Sequence, residues 1–278
     1  MTIDRITEND LSPFYENKRT RQSKTGIPQL DRHLLYKGRS LLIVGGLPNV
    51  GKTTGTLWLM FTWSSLLKEK PRWLVFSSEN ENIETKIMLM EWFHETEIHN
   101  QTPVERAAAL EWVDHHFQFM QNDSLLTLEQ LLNLARMVKK NYFDFDGFLI
   151  DPYSSLKFGS YGEHYANAGK MRSFVKDQNC KLIVSMHVST EAARRETKEG
   201  IAVPLPSHLE MGTMWMNRAD DLAIMHRLTQ NELLRNQMEL HVCKIKSTRT
   251  GGRTTDSGKP VRMYYSHEWG GFSWENRG

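Results

Sequence analysis

Cysteine is nearly absent from this chain: Cys180 and Cys243 are the two among 278 residues. Neither stands in a spacing used by metal sites, so reduced thiols and a cytosolic setting are expected. No apolar run approaches the about 20 residues that a membrane-spanning helix needs. The opening Met1-Thr2-Ile3-Asp4-Arg5 lacks the apolar core of a signal peptide, so no membrane partner is expected. A dominant charge is missing too. Lys and Arg total 35 against 33 Asp and Glu, a net charge of +2, so contact with a polyanion has to come from local clusters and not from a global field. Internal repeats and low-complexity tracts are absent. What remains is ample apolar material, 39% of residues, enough for one sizeable core.

The chain divides into a polar segment and one domain. Residues 1–24 end in Lys18-Arg19-Thr20-Arg21-Gln22-Ser23-Lys24 and read as an arm or linker. A frayed terminus and a docking arm fit that composition equally. Residues 25–278 alternate apolar strands with helical stretches. Expected strands are Ser40–Val44, Trp73–Ser77, Phe117–Met120, Gly147–Ile150, Leu182–Met186, Leu222–His226, Met238–Lys244 and Val261–Tyr265. Helical patterns cover 81–95, 127–140 and 164–178; in the second, Leu128, Leu131, Leu134, Ala135 and Val138 share one face. Strands alternating with helices imply βαβ units and a twisted, mostly parallel α/β sheet flanked by helices. Residues 222–276 lack long helices and suggest a strand-rich end to the sheet.

The most informative stretch is Gly46-Leu47-Pro48-Asn49-Val50-Gly51-Lys52-Thr53, which fits G-x-x-x-x-G-K-T. The apolar run Leu41–Val44 precedes it, and helix-compatible residues from Thr54 to Phe61 follow. Strand, Gly-rich turn and helix are the setting in which this loop binds the phosphates of a nucleoside triphosphate. Gly46 and Gly51 let backbone N–H groups turn inward, and the helix N-terminus adds positive dipole. Lys52 is expected on the β- and γ-phosphates, and the Thr53 hydroxyl on Mg²⁺. Pro48, Asn49, Val50 and Thr54 complete the expected ATP-contacting loop.

Hydrolysis also needs a metal-shell carboxylate and a group that activates water. The apolar run Phe148-Leu149-Ile150 ends in Asp151, at the strand exit where ligands bind in parallel sheets. The same Asp also suits the cap of a turn before Pro152. Leu74-Val75-Phe76-Ser77-Ser78 ends in Glu79, the candidate general base. Glu81 and Glu84 are rivals that read better as acids at a helix start. His187 follows Leu182–Met186 and is the candidate γ-phosphate sensor. The charged stretch 190–206 carries Arg194, Arg195 and Lys198 with acids interleaved. It suits nucleic-acid backbone contact or a solvated loop equally. Lys244–Arg253 reads as a basic turn between strands, an arginine finger for a neighbour's nucleotide or an exposed hairpin tip.

With these residues in place, the chain resembles the RecA-like motor domain of DnaB-type replicative ring helicases, in the branch of the phage T7 helicase-primase and Twinkle. Thr25-Gly26-Ile27-Pro28-Gln29-Leu30-Asp31 is similar to that family's entry segment. Phe76-Ser77-Ser78-Glu79 resembles its F-S-L-E motif, and Ile150-Asp151-Pro152-Tyr153 its second nucleotide motif. Gly212–Arg227, with Ala219-Asp220-Asp221, resembles the segment ending in A-D and the strand after it. The resemblance runs from about Thr25 to Trp274.

The resemblance implies ATP and Mg²⁺ as cofactors, single-stranded DNA as partner and a homo-oligomeric, hexameric ring. Host cytoplasm is implied as the location if the chain is phage-encoded. Lys246 and Arg249 fall where the family has trans-acting cations, although the spacing here is K-x-x-R where the family has K-x-R. Arg227 and Tyr265 fall near the pair that sandwiches the nucleotide base. Arg194, Arg195 and Lys198 match one DNA-binding loop and Lys157–Lys170 another, with Tyr161, His164 and Tyr165 as stacking candidates. The family's N-terminal primase or loader-binding domain has no counterpart in these residues, so a separate primase or loader is a further expected partner. Two other readings share the fold: a RecA-like recombinase filament ATPase, and a KaiC-like regulatory ATPase without unwinding.

Overall fold

The computed structural model describes residues 8–15, 24–121, 125–160, 162–193, 195–198, 200–210 and 212–276. Within them, β1 (Leu41–Gly46), β2 (Trp73–Ser77), β3 (Phe117–Phe119), β4 (Gly147–Asp151), β5 (Lys181–His187), β8 (Asp221–His226), β9 (Gln237–Ile245), β10 (Val261–Tyr265) and β11 (Phe272–Ser273) build one sheet. Its order is β11-β10-β9-β8-β1-β5-β4-β2-β3. The six strands from β8 to β3 run parallel, and β9, β10 and β11 continue the sheet antiparallel. The mostly parallel sheet with a strand-rich C-terminal portion is therefore as expected. Two short strands, β6 (Glu196–Thr197) and β7 (Gly200–Ile201), form a separate hairpin.

Both faces of the sheet are covered, which is why its strands are apolar throughout and not alternating. Leu41 and Ile43 of β1 pack on one side, Leu42 and Val44 on the other. The helices α3 (Lys52–Leu66), α4 (Asn82–His94) and α5 (Pro103–His116) cover the second side. α3 is apolar nearly all round and carries Trp58 and Trp63 into that core. The opposite side is covered by α6 (Leu128–Asn141) and α7 (Glu163–Asp177), with Leu128, Leu131, Leu132 and Ala135 as the buried stripe of α6. Leu134, expected on that stripe, is 37% exposed, and Val138 is partly buried. Both α5 and α6 start on reciprocal capping boxes, Thr102 with Glu105 and Thr127 with Gln130. Cys180 and Cys243 are free, and burial pushes their thiols up to about 12 and about 11.

The helix α5 and strand β11 were not expected from the sequence. The apolar positions of α5 are few, Ala109, Val113 and Trp112, so its 3.6-residue period is faint. The basic segment after β9 also departs from expectation. It is not a free hairpin tip: residues Thr248–Gly251 form one helical turn tied to the chain after α2 (Pro28–His33) by Leu35 N–H donating to Gly251 O at 3.1 Å. Within the arm, α1 (Glu8–Tyr15) is helical, and the rest of 1–23 lies outside the described residues. Among the described residues no helix is long and apolar enough to cross a membrane.

Lys181 opens β5 fully buried, its Nζ donating to Ser40 Oγ at 3.2 Å, with the Trp63 ring centroid at 5.4 Å. Burial lowers its pKa from 10.5 to about 8, only partly opposed by Asp221. Between those values the unfolded chain holds a proton that the folded chain has released. Stability therefore rises with pH from about 8 to 10.5, by on the order of 3 kcal/mol, and the strain is fully present below that window. Ser40 keeps its own bond to Lys37 O at 2.6 Å, and Asp221 keeps Lys37 Nζ at 3.0 Å, so removing the amine orphans neither. Lys181→Met is expected to raise the melting temperature at neutral pH and to flatten the alkaline rise, as read by thermal denaturation across pH 7–11.

Candidate nucleotide site

The loop between β1 and α3 is built for anions. Gly51 is the residue before the helix and sits at φ 86°, a left-handed conformation that disfavours any side chain. A Cβ on Gly46 would lie 2.6 Å from Met225 O and against the Lys52 stem, so a bare backbone is needed there. The first N–H groups of α3 have no partner within the helix and face the loop with the positive end of the dipole. Lys52 is buried, and its Nζ donates to Leu47 O across the loop at 3.0 Å. Burial lowers the Lys52 pKa, opposed by the carboxylates of Asp151, Glu79 and Glu210.

Four neighbouring strand ends converge on this loop. Gly46 pairs with His187 across β1 and β5, and Ser77 pairs with Asp151 across β2 and β4. Glu79 lies two residues beyond β2. Thr53 Oγ1 donates to Asp151 Oδ2 at 2.6 Å. Asp151 is 1% exposed, its Oδ1 makes no hydrogen bond, and burial raises its pKa. A buried carboxylate oxygen with an open valence, beside a hydroxyl, is the oxygen donor set that Mg²⁺ takes alongside phosphate and water. Asp151 and Thr53 thus fit the metal role expected of them.

Glu79 and His187 are joined. His187 Nε2 lies 3.1 Å from Glu79 Oε1, and His187 Nδ1 lies 3.3 Å from Lys52 Nζ. An ammonium only donates, so Nδ1 accepts; Nε2 then carries the hydrogen and donates to Glu79. One neutral imidazole tautomer therefore links the phosphate-loop lysine to the candidate base. Glu79 is half exposed, open to water.

The remaining expected residues are placed as follows. Arg227 and Tyr265 meet, the guanidinium 5.0 Å from the ring centroid, so a base between them requires the pair to part. Lys246 Nζ is bound in its own chain to Asp220 Oδ1 at 2.9 Å, and Arg249 is exposed without an ion pair among the described residues. Both sit by the start of β8, about 16 Å from the phosphate loop by strand rise. They therefore do not serve their own loop. Arg195 and Lys198 are exposed at the β6–β7 hairpin. Arg194 and Tyr161 lie outside the described residues. His164 does not suit a stacking role: it is 4% exposed, with its Nδ1 3.0 Å from the Tyr153 hydroxyl. Tyr165 is already covered by Arg218, whose Cζ lies 3.9 Å from its ring centroid.

A cleft of about 530 Å³ opens between the loop and the hairpin, lined by Pro48, Val50, Lys198, Ile201, Arg227 and Asn231 among others. Glu210 is the residue that sequence reasoning missed. It is half-buried beside Lys52 and His187, yet it follows no apolar strand that would have marked it.

Together the sheet order, the loop and the carboxylate at the neighbouring strand end define a RecA-like P-loop fold. Solved structures agree. A helicase ATPase domain superposes with a TM-score of 0.73 at 14% identity, over 97% of this chain and 99% of that one. A DnaB-like replicative helicase, solved for its interactions with primase, gives 0.70 at 14% identity, over 97% of this chain and 67% of that one. A KaiC-like protein, PH0186 from the hyperthermophilic archaeon Pyrococcus horikoshii OT3, gives 0.60 at 12% identity, over 91% and 99%. At these identities the likeness is one of fold. No family model matches the sequence, and no curated protein does.

Lys52→Ala removes the one cation reaching across the loop. Triphosphate affinity is expected to fall at least about a hundredfold, the order of a lost charge-assisted contact to phosphate, as read by titration with a fluorescent ATP analogue.

Proposed function

We propose that this chain is an ATP-driven translocase on single-stranded DNA, a helicase motor that hydrolyses ATP at the subunit interfaces of a hexameric ring in DNA replication. The observation that carries the reading is the His187 bridge. β5 ends at His187, which touches both Lys52 and Glu79, and the same chain runs on through α8 (Thr190–Ala193) into the basic hairpin bearing Arg195 and Lys198. Nucleotide state and DNA contact are thus adjacent along one backbone.

In this reading the phosphate loop and Lys52 hold the β- and γ-phosphates. Mg²⁺, held by Thr53 and by Asp151 through water, neutralises charge on the phosphate oxygens. A γ-phosphate accepts the Lys52 protons that His187 Nδ1 otherwise receives. That weakens the hold of His187 on Glu79, and the carboxylate turns to polarise the attacking water. On phosphate loss the bridge re-forms and pulls on the strand end that leads to the hairpin. Arg227 and Tyr265 contact the base after parting.

The remote position of Lys246 and Arg249 supports a shared site, because cations that do not reach their own loop are free to serve a neighbour's. The ion pair to Asp220 leaves Arg249 as the cation that crosses. Arm 1–24 is a second candidate contact between subunits, and a separate primase or loader a further partner. The location that follows is the cytoplasm.

Glu79→Gln keeps the size of the side chain and loses the base. ATP binding is expected to persist while turnover falls at least about a hundredfold in a steady-state assay. Single-stranded DNA at low salt is expected to stimulate hydrolysis by the wild-type protein. Absence of stimulation would overturn the translocase reading in favour of a regulatory ATPase of KaiC type. Filaments in place of rings in electron micrographs with an ATP analogue would indicate a recombinase instead.

A further inference from the structure

Glu210 stands where the segment that leaves the site at His187 comes back to it. Residues 187–189 and 208–210 pair antiparallel: Ser189 N–H donates to His208 O at 2.7 Å, Val188 bridges Leu209, and Glu210 N–H donates to His187 O at 3.0 Å. The Glu210 carbonyl accepts from the buried Trp215 indole at 2.9 Å, and that ring packs edge-on against Tyr153, two residues beyond Asp151. Leu209 is 2% exposed and fills the space that a side chain at Gly45 would need, one residue before the phosphate loop. The Glu210 peptide is therefore held on both sides and by its neighbour, and its carboxyl is held within the electrostatic reach of Lys52 and His187.

We propose that Glu210 is a positioning residue that ties the returning end of the 190–209 segment to the γ-phosphate position, so that nucleotide state acts on both ends of the basic hairpin. Three carboxylates, Asp151, Glu79 and Glu210, act on one ammonium, Lys52. Asp151 has its metal role and Glu79 its water. Glu210 has neither, and burial works against its charged form while Lys52 and His187 favour that form. A γ-phosphate at Lys52 brings like charge towards Glu210 and takes its counterion. The repulsion acts on a peptide hydrogen-bonded to His187, so the entry and exit of the hairpin segment feel the same event. Loss of the phosphate restores the attraction of Glu210 for Lys52.

This inference rests on the proposed translocase reading for its DNA consequence, but its nucleotide consequence stands apart from it. The experiment measures the affinities of wild-type protein, Glu210→Gln and Glu210→Asp for ADP and for a non-hydrolysable ATP analogue. It then measures single-stranded DNA affinity in each nucleotide state. Glu210→Gln removes the charge at constant size. The preference for triphosphate over diphosphate is expected to rise at least about fivefold, as expected for one partly screened like charge, with ADP affinity little changed. Glu210→Asp, which withdraws the charge by one methylene, gives a smaller rise in the same direction and serves as the reading if the Gln variant does not fold. A side chain that only supports the fold would weaken both nucleotides together; that result, or an unchanged preference in the folded variants, overturns the proposal. The difference in DNA affinity between the two nucleotide states is expected to shrink in Glu210→Gln. Wild-type protein that binds no DNA would remove the translocase reading, and the nucleotide preference would still judge Glu210.

Discussion

One pairing sets the site: β1 lies between β5 and β8 with Gly46 opposite His187 on one side and Met225 on the other. A parallel sheet buried on both faces has no freedom to slip, because a shift of one residue would turn every side chain to the wrong layer. The burial of Leu41 and Ile43 on one side and Leu42 and Val44 on the other therefore fixes the height of the phosphate loop. The same register carries Asp151 and Glu79 to that height through β4 and β2. The catalytic spacing is thus enforced by apolar packing several residues away from any polar group.

That division explains what was legible in the sequence. An apolar run ending in a polar residue marks a strand exit, and Lys52, Glu79, Asp151 and His187 were all visible by that rule. Their connections were not visible. The bridge from Lys52 to Glu79 through His187 depends on which strands are neighbours, and sheet order is a long-range property that no local pattern states. Glu210 escaped for a related reason. Its strand-like pairing is a short bridge after a loop, set by Leu209 seating on Gly45, and neither residue carries a periodic signature. The turn at Thr248–Gly251 misled in the opposite direction. Its Gly and Ser content suggests a free tip, whereas Leu35 and Asp220 tie the segment down.

The buried charges separate into two groups at opposite ends of the sheet. At the exit end, Asp151 and Lys52 are raised and lowered by burial, which leaves both less content than in water and responsive to a charged ligand. At the entry end, Asp220 is depressed despite its burial, because the Leu41 N–H, Lys246 and Arg172 all favour its ionised form. A satisfied carboxylate of this kind holds its partners; it does not seek new ones. Its effect is to fix the end of β9 against the start of β8, and with it the direction in which the following turn points.

The two groups have different tasks for that reason. A charge that must respond to phosphate is left short of partners, and a charge that must hold a frame is given several. Lys246 belongs to the second kind: moving it to a neighbour's phosphate would leave Asp220 with Arg172 and the Leu41 N–H alone. Arg249 has no such bond to give up among the described residues, and it stands one helical turn from that anchored frame. The extra residue in the Lys-to-Arg spacing then has a physical reading. It separates an anchored cation from an exposed one, so that the strut and the reaching group need not be the same side chain.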